Sequence, residues 1–302
     1  MNDRSSSSFD LPAVVADLHR LREISLQRRG REGRPPRLPA RRALGSVVER
    51  LSAVLFPHRL GNPEVSDHGI DAYVGHLLDL ALRDLAVEVG RELALKATPD
   101  QAPDTATTAA ETLVRDFAGC LPRVRSLLDS DVQAAYRGDP AAGSLDEVLV
   151  CYPGITAMIH HRLAHELHRL GARLSARLIA EIAHSQTGID IHPGARIGEG
   201  FFIDHGTGVV IGETTIIGTG VRLYHGVTLG AKRFPVGEDG SIVKGGDRHP
   251  IIEDEVVIYA GATILGRVTI GKGSVIGGNV WLTHGVPPGS QVAQSQLNVK
   301  PA

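Results

Sequence analysis

The sequence predicts an α+β chain, an N-terminal all-helical domain followed by a left-handed parallel β-helix. Three observations predict it. From Ile252 onward, Ile258, Ile264, Ile270, Ile276 and Leu282 follow at six-residue spacing, with Val256, Ala262, Val268, Ser274, Val280 and Val286 four residues after each. Upstream, Ile191, Ile197, Ile203, Val209, Thr215, Val221 and Val227 are also six apart, with Thr215 the weak member. A period of six suits neither a helix nor an ordinary strand. It suits short extended segments joined by corners, stacked so that each coil buries its aliphatics against its neighbours. Third, residues 43–183 carry a helical period instead: Val74, Leu77, Leu78, Leu82 and Leu85 share one face.

In order, residues 1–42 read as a flexible, basic extension. Within it a polar Ser-rich start, expected to be disordered, precedes a helix from Leu11 to Arg29. Asp10 is its N-cap and Pro12 lies in its first turn. The stretch from Arg28 to Arg42 is basic and rich in Pro and Gly, the composition of a linker. No aromatics are interleaved, which argues against an RNA-binding arm. Residues 43–187 form the helical domain, in five or six helices. Pro122, Pro140 and Pro153 are expected to break it. Thr187-Gly188 closes the last helix. Residues 188–290 form the β-helix, with a non-periodic loop insert at 231–250, and 291–302 form a short C-terminal tail.

Composition narrows the classes. The 302 residues carry 22% charged and 42% hydrophobic residues and a formal net charge of −2. That balance gives no case for nucleic acid or an anionic membrane as a partner. No apolar run reaches membrane-spanning length, and the start of the chain lacks the apolar region of a signal peptide, so a cytoplasmic location is expected. Cys120 and Cys151 are too few for a disulfide framework and lack metal-ligand spacing; they read as buried free thiols. His161, His165 and His168 fall on one helix face at a metal-compatible spacing, but no carboxylate completes a set in the sequence, so no metal is expected.

Polar residues cluster at three places in the β-helix: Asp190-Ile191-His192-Pro193, Asp204-His205-Gly206-Thr207-Gly208, and Asp247-Arg248-His249-Pro250. If each coil takes about eighteen residues, Asp190 and His205 come close on successive coils. An Asp beside a His fixes a tautomer and raises basicity, the arrangement of a general base. Each His could equally be a corner residue satisfied by backbone.

These runs, with Gly226-Val227-Thr228-Leu229-Gly230 and Val286-Pro287-Pro288-Gly289, resemble the serine O-acetyltransferases of the hexapeptide-repeat acyltransferase superfamily. The resemblance covers roughly residues 131–288. It implies transfer of the acetyl group of acetyl-CoA to the hydroxyl of L-serine, the first step towards cysteine. His205 would be the general base and Asp190 would orient it. Asp139 and Asp204 would face the serine ammonium, and Arg248, with His249 beside it, would take the carboxylate. Opposite anchors at the two ends suit a zwitterion, and Arg binds carboxylate in a bidentate manner. Acetyl-CoA would lie near Gly230, Ala231, Lys232 and Ala260 as a co-substrate, with no permanently bound cofactor and no metal. Separately, the insert carries Lys232, Arg233 and Lys244 beside the expected CoA groove; either the loop closes over the site and one of these cations meets a CoA phosphate, or it is a solvated surface loop.

The resemblance also implies a homotrimer, or a hexamer built as a dimer of trimers, with sites between subunits. Relatives that dock O-acetylserine sulfhydrylase do so with a tail ending in isoleucine. This chain ends Asn298-Val299-Lys300-Pro301-Ala302, which argues against that complex. The competing readings are a hexapeptide acyltransferase with another acceptor (a sugar amine, homoserine or an antibiotic) and a non-catalytic or zinc-binding β-helix using His192, His205 and His225.

Overall fold

The computed structural model describes residues 10–29, 37–95, 103–233, 237 and 240–294, with 103 and 104 as backbone alone. The Ser-rich start and the end of the tail lie outside the described residues. Contacts divide the chain into two units, Met1–Leu38 and Pro39–Ala302. In the first, α1 (Leu11–Arg28) begins where the sequence expects it: the Asp10 carboxylate accepts the Ala13 N–H, satisfying one of the unpaired donors of the first turn. Leu11, Val14, Val15, Leu18 and Leu21 along this helix are exposed.

The second unit holds both the helices and the β-helix. Its helices are α2 (Arg41–Leu55), α3 (Pro57–Leu60), α4 (Ile70–Ala94), α5 (Pro103–Gly138), α6 (Leu145–Cys151), α7 (Pro153–Arg169) and α8 (Arg173–Thr187). Their apolar faces meet in one core, with Leu44, Leu51, Leu85, Phe117, Leu128 and Leu163 fully buried. The first turn of α8 has no capping side chain of its own. The buried Glu92 of α4 supplies one, accepting the N–H groups of Leu174 and Ser175 at 2.9 and 2.8 Å. An anionic group at a helix N-terminus satisfies both the unpaired donors and the helix dipole.

Two expectations change here. Pro122 does not break a helix; it lies inside α5. A proline in a helix interior costs about 3 kcal/mol or more, and burial of Phe117, Leu121, Val124 and Leu128 around it offsets that loss. Nor are the cysteines buried. Cys120 is half-exposed, bonded through its thiol to the Asp116 carbonyl, and Cys151 is exposed at the end of α6.

Gly188, in the left-handed region at φ 70°, turns the chain from α8 into the β-helix. Among the described residues all strand pairs are parallel and fall into three sheets. The first sheet stacks β1 (Asp190–Ile191), β4 (Val210–Ile211), β7 (Thr228–Gly230), β10 (Thr263–Leu265) and β13 (Trp281–Leu282). The second stacks β2 (Arg196–Ile197), β5 (Ile216–Ile217), β8 (Ile251–Ile252) and β11 (Thr269–Ile270). The third stacks β3 (Phe202–Asp204), β6 (Arg222–Tyr224), β9 (Val257–Ile258), β12 (Val275–Ile276) and β14 (Gln291–Val292).

Register revises the upstream period. Ile191 stands opposite Ile211, a coil of 20 residues, whereas Ile211 to Leu229 and Ile264 to Leu282 take 18. Two extra residues sit at the corner after Asp204. The inward series is therefore Ile191, Ile197, Ile203 and then Ile211, Ile217, Leu223, Leu229. Val209, Thr215, Val221 and Val227 belong to a second buried row, with Ala195 and Phe201 before the extra residues and Val256 and Ala262 beyond the insert. Thr215 is fully buried in this row with its hydroxyl unpartnered, filling a position of the kind that Val209 and Val221 fill on either side of it in sequence. From Leu229 to Ile264 the coil takes 35 residues, because the insert leaves the stack at Gly230 and rejoins it at β8.

The helices are fastened to the β-helix by a buried ion pair. Arg162 of α7 grips Asp131 of α5 with two 2.7 Å hydrogen bonds and donates to the carbonyls of Ile197 and Gly198. Asp131 also accepts the Phe201 N–H. The pair thus holds the strand that leads into Asp204 and His205.

Candidate functional site

Among the described residues of the β-helix, the corner after β3 is one of three where a non-glycine residue takes a positive φ, with Glu255 and Asn279 at the others. His205 has φ 59°, with Gly206 and Gly208 at 87° and 80°. A positive φ is uncommon for a residue with a side chain, and such residues cluster at functional sites. The turn lifts the His205 imidazole out of the stack, leaving the side chain 72% exposed, with Nε2 3.8 Å from Asp204 Oδ1. One coil on, the His225 ring lies 5.7 Å away. Asp190 begins the coil before this corner, directly over Val210. Its carboxylate makes no hydrogen bond to another described residue, so the carboxylate beside the imidazole in a single chain is that of Asp204.

Asp139 comes to the same corner from the end of α5. The Tyr152 hydroxyl donates to its Oδ2 at 2.5 Å and the Ala141 N–H to its Oδ1 at 2.8 Å. These bonds, the Tyr152 one first, with the Arg222 charge nearby, hold the Asp139 carboxyl below its ordinary range. The same hydrogen bond pushes the Tyr152 phenol up to about 12, which keeps it a donor. Asp204 is nearly buried and is paired with Arg222 at 2.7 Å. Tyr152 and Arg222 are absent from the sequence-derived list, which holds His225 only in the competing zinc reading. A weak signal for Arg222 and His225 existed: Arg222-Leu223-Tyr224-His225 puts bulky polar groups where neighbouring corners carry Gly and Thr.

Arg248 and His249 stand elsewhere, at the corner between the first and second sheets. Arg248 pairs with Glu213 at 2.6 Å. His249 is buried, with Nδ1 accepting the Thr214 N–H, and burial and the Arg248 charge push its imidazole down to about 4. Gly230, Ala231 and Lys232 begin the insert at this corner, and the Gly230 carbonyl accepts the Gly266 N–H. Ala260 sits on the His205 side, its carbonyl accepting the Asn279 N–H. The predicted residues therefore divide between the two edges of the first sheet. The four residue steps from Gly208 to Gly212 span roughly 13 Å of extended chain. A single amino acid cannot touch both edges of one chain.

Glu213 also supplies the carboxylate that the sequence did not place near the α7 histidines. Ligand atoms of His168, His192 and Glu213 lie within 4.8 Å of one another. The surroundings oppose a metal ion there. Glu213 is already engaged by Arg248, His192 Nδ1 accepts the Gly194 N–H, and burial with the nearby Arg177 charge pushes the His192 imidazole down to about 4. A cation there would compete with Arg248 for the Glu213 carboxylate and meet the nearby Arg177 charge.

Comparison with known proteins agrees with this architecture. Residues 249–284 match the family model described as bacterial transferase hexapeptide (six repeats). A serine acetyltransferase described as plasmid, from Synechococcus elongatus, is 56% identical over 264 residues, covering 86% of this chain and 83% of that protein. The crystal structure of Entamoeba histolytica serine acetyltransferase isoform 3, in complex with cysteine, superposes with a TM-score of 0.72 at 34% identity, covering 90% of this chain and 86% of the other. Soybean serine acetyltransferase complexed with serine gives 0.52 at 33% identity over 82% of this chain and 95% of the other. With more than half its residues shared along most of both chains, this chain belongs to the serine acetyltransferase family.

Proposed function

We propose that the chain transfers the acetyl group of acetyl-CoA to the hydroxyl of L-serine, with His205 as the general base. The observation that carries the reading is the His205 corner: an exposed imidazole on a positive-φ turn, with the Asp204 and Asp139 carboxylates beside it. His205 takes the hydroxyl proton as the serine oxygen attacks the thioester carbonyl. The tetrahedral intermediate then expels the CoA sulfur, which recovers that proton. Asp139 and Asp204 receive the ammonium. Asp190, at the start of the coil before this corner, is the residue that the reading assigns to orienting His205 and enforcing its tautomer.

Arg248, with His249, receives the serine carboxylate. Because that corner lies across the sheet from His205, it must come from a second copy of the chain, which supports a closed trimer, or two trimers paired as a hexamer. The acetyl-CoA residues divide in the same way. Ala260 would line one wall of an inter-subunit groove, with Gly230, Ala231 and Lys232 on the other. Exchange of Arg248 from Glu213 to the substrate carboxylate replaces one ion pair by another.

The test uses two variants that should each be nearly inactive at a serine concentration near the wild-type KM. His205→Ala should lower kcat by about 10²–10⁴. Arg248→Ala should raise the serine KM far more than the acetyl-CoA KM. Co-expressed, the two should regain up to about a quarter of wild-type thiol release, because random trimers place an intact His205 against an intact Arg248 at that frequency. Near-normal kcat in His205→Ala would remove the base. Absence of any regain in mixed trimers would remove the shared site.

A further inference from the structure

Arg222 occupies an unusual position for a β-helix side chain. It projects from β6, and its guanidinium reaches two places at once. One nitrogen donates to Asp204 Oδ2 at 2.7 Å and the other to the Gly138 carbonyl at 2.7 Å. Gly138 is the last residue of α5, and Asp139 follows it. Two rings flank the guanidinium, Phe202 at 4.9 Å and Tyr224 at 4.6 Å from its central carbon. A Cβ on residue 138 would stand 3.0 Å from the Phe202 ring and 3.6 Å from the guanidinium, so glycine is what lets the helix end come this close. One side chain thus joins the two segments that bring carboxylates to the His205 corner.

The charges at the corner are the two carboxylates Asp139 and Asp204, the Arg222 cation and the His205 and His225 imidazoles, with the Glu147 carboxylate acting on Tyr152 and Arg137 and Glu199 lining the cavity on the other side of Arg222. The phenols of Tyr152, Tyr224 and Tyr259 lie close by. Without Arg222, two carboxylates would face one substrate ammonium, and Asp204 would be free to capture a protonated His205. With it, the pair of carboxylates carries one net negative charge, matched to one ammonium. Resting on the reading of His205 as base, we infer that Arg222 is a positioning residue for the reaction. It fixes Asp204 and the Asp139 helix end in register and keeps Asp204 from claiming the His205 proton.

Two substitutions separate charge from geometry. Arg222→Lys keeps the cation but lacks the planar fork that spans both partners. Arg222→Gln keeps hydrogen-bonding capacity but loses the cation. Removing a positive charge raises the pKa of a carboxylate and of an imidazole alike, so both effects move the acid limb of kcat/KM for serine in one direction. Arg222→Gln should shift that limb up by about one pH unit and raise the serine KM about tenfold, with the acetyl-CoA KM unchanged. Arg222→Lys should leave the limb in place while still raising the serine KM.

Folding of each variant is checked by circular dichroism. If only Arg222→Lys folds, an upward-shifted limb in that variant overturns the charge role, and an unmoved limb supports it. A wild-type limb and serine KM in a folded Arg222→Gln overturn the inference. The same variants are titrated by NMR on the His205 ring resonances, assigned with His205→Ala. If wild-type enzyme failed to turn over serine, the catalytic reading would have failed, and the titration would still report whether Arg222 lowers the His205 pKa.

Discussion

Replacing Asp131 by asparagine tests the join between the helices and the β-helix. The Asp131 side chain is fully buried and that of Arg162 is 4% exposed. The substitution is nearly isosteric but leaves the Arg162 guanidinium buried without a counter-charge. Breaking one side of a buried ion pair costs about 3–5 kcal/mol. Arg162 keeps its bonds to the Ile197 and Gly198 carbonyls, and the amide oxygen of the new side chain can still accept the Phe201 N–H. The loss should therefore fall near the lower end, about 3 kcal/mol. At about 2–4 °C per kcal/mol for chains of roughly this size, Tm should drop by about 6–12 °C.

The assay is thermal unfolding at one fixed protomer concentration, since assembly would otherwise contribute. Far-ultraviolet circular dichroism follows the helices. The fluorescence of Trp281, the only tryptophan, follows the β-helix. Because the pair fastens one to the other, both signals should move. Replacing both partners with apolar residues, Asp131→Leu with Arg162→Met, leaves no charge buried but also strips the Ile197 and Gly198 carbonyls and the Phe201 N–H of these partners, so it should not restore wild-type stability. A single variant with Tm within about 1 °C of wild type would refute the reasoning.

Two further predictions concern pH. Tyr152→Phe removes the main donor that holds Asp139 ionised. The Asp139 carboxyl should then protonate at a higher pH, so the acid loss of kcat/KM for serine should begin earlier, with the acetyl-CoA KM unchanged; a superimposable profile would rule this out. Stability should fall on acidification through histidines that the fold keeps neutral. His192 and His249 are pushed down to about 4, and His161 well below its ordinary value, by burial first of all. The unfolded chain protonates them near pH 6.5 and the fold only near or below 4. Unfolding therefore takes up protons in that window, and stability drops as pH falls. Denaturant midpoints at about pH 7, 6 and 5 read this above the carboxylate range; a flat midpoint would contradict it.

Much of the architecture was legible because it is written locally. A buried aliphatic every six residues needs no knowledge of distant contacts, since each coil repeats the same short segment and corner. The Asp10 cap and the Gly188 turn are equally local, one set by a side-chain acceptor and the other by a positive φ. The polar runs around Asp190, His205 and Arg248 stood out for a related reason: a β-helix gives polar groups few other places to be.

Tertiary structure decided what depends on stacking and packing. The two extra residues after Asp204 leave the six-residue count intact on paper, because Val209 and its successors are also buried, in the other row. Only the pairing of coils reveals that shift. Whether Pro122 ends a helix depends on how much apolar surface the rest of α5 buries, which no local rule supplies. The sequence by itself determined that this chain is a stack of coils behind a helical domain, since period and caps act over a few residues. Only the tertiary structure put Arg222 between Gly138 and Asp204, and His205 and Arg248 on opposite edges of one sheet, because those distances follow from coil register and from where α5 comes to rest.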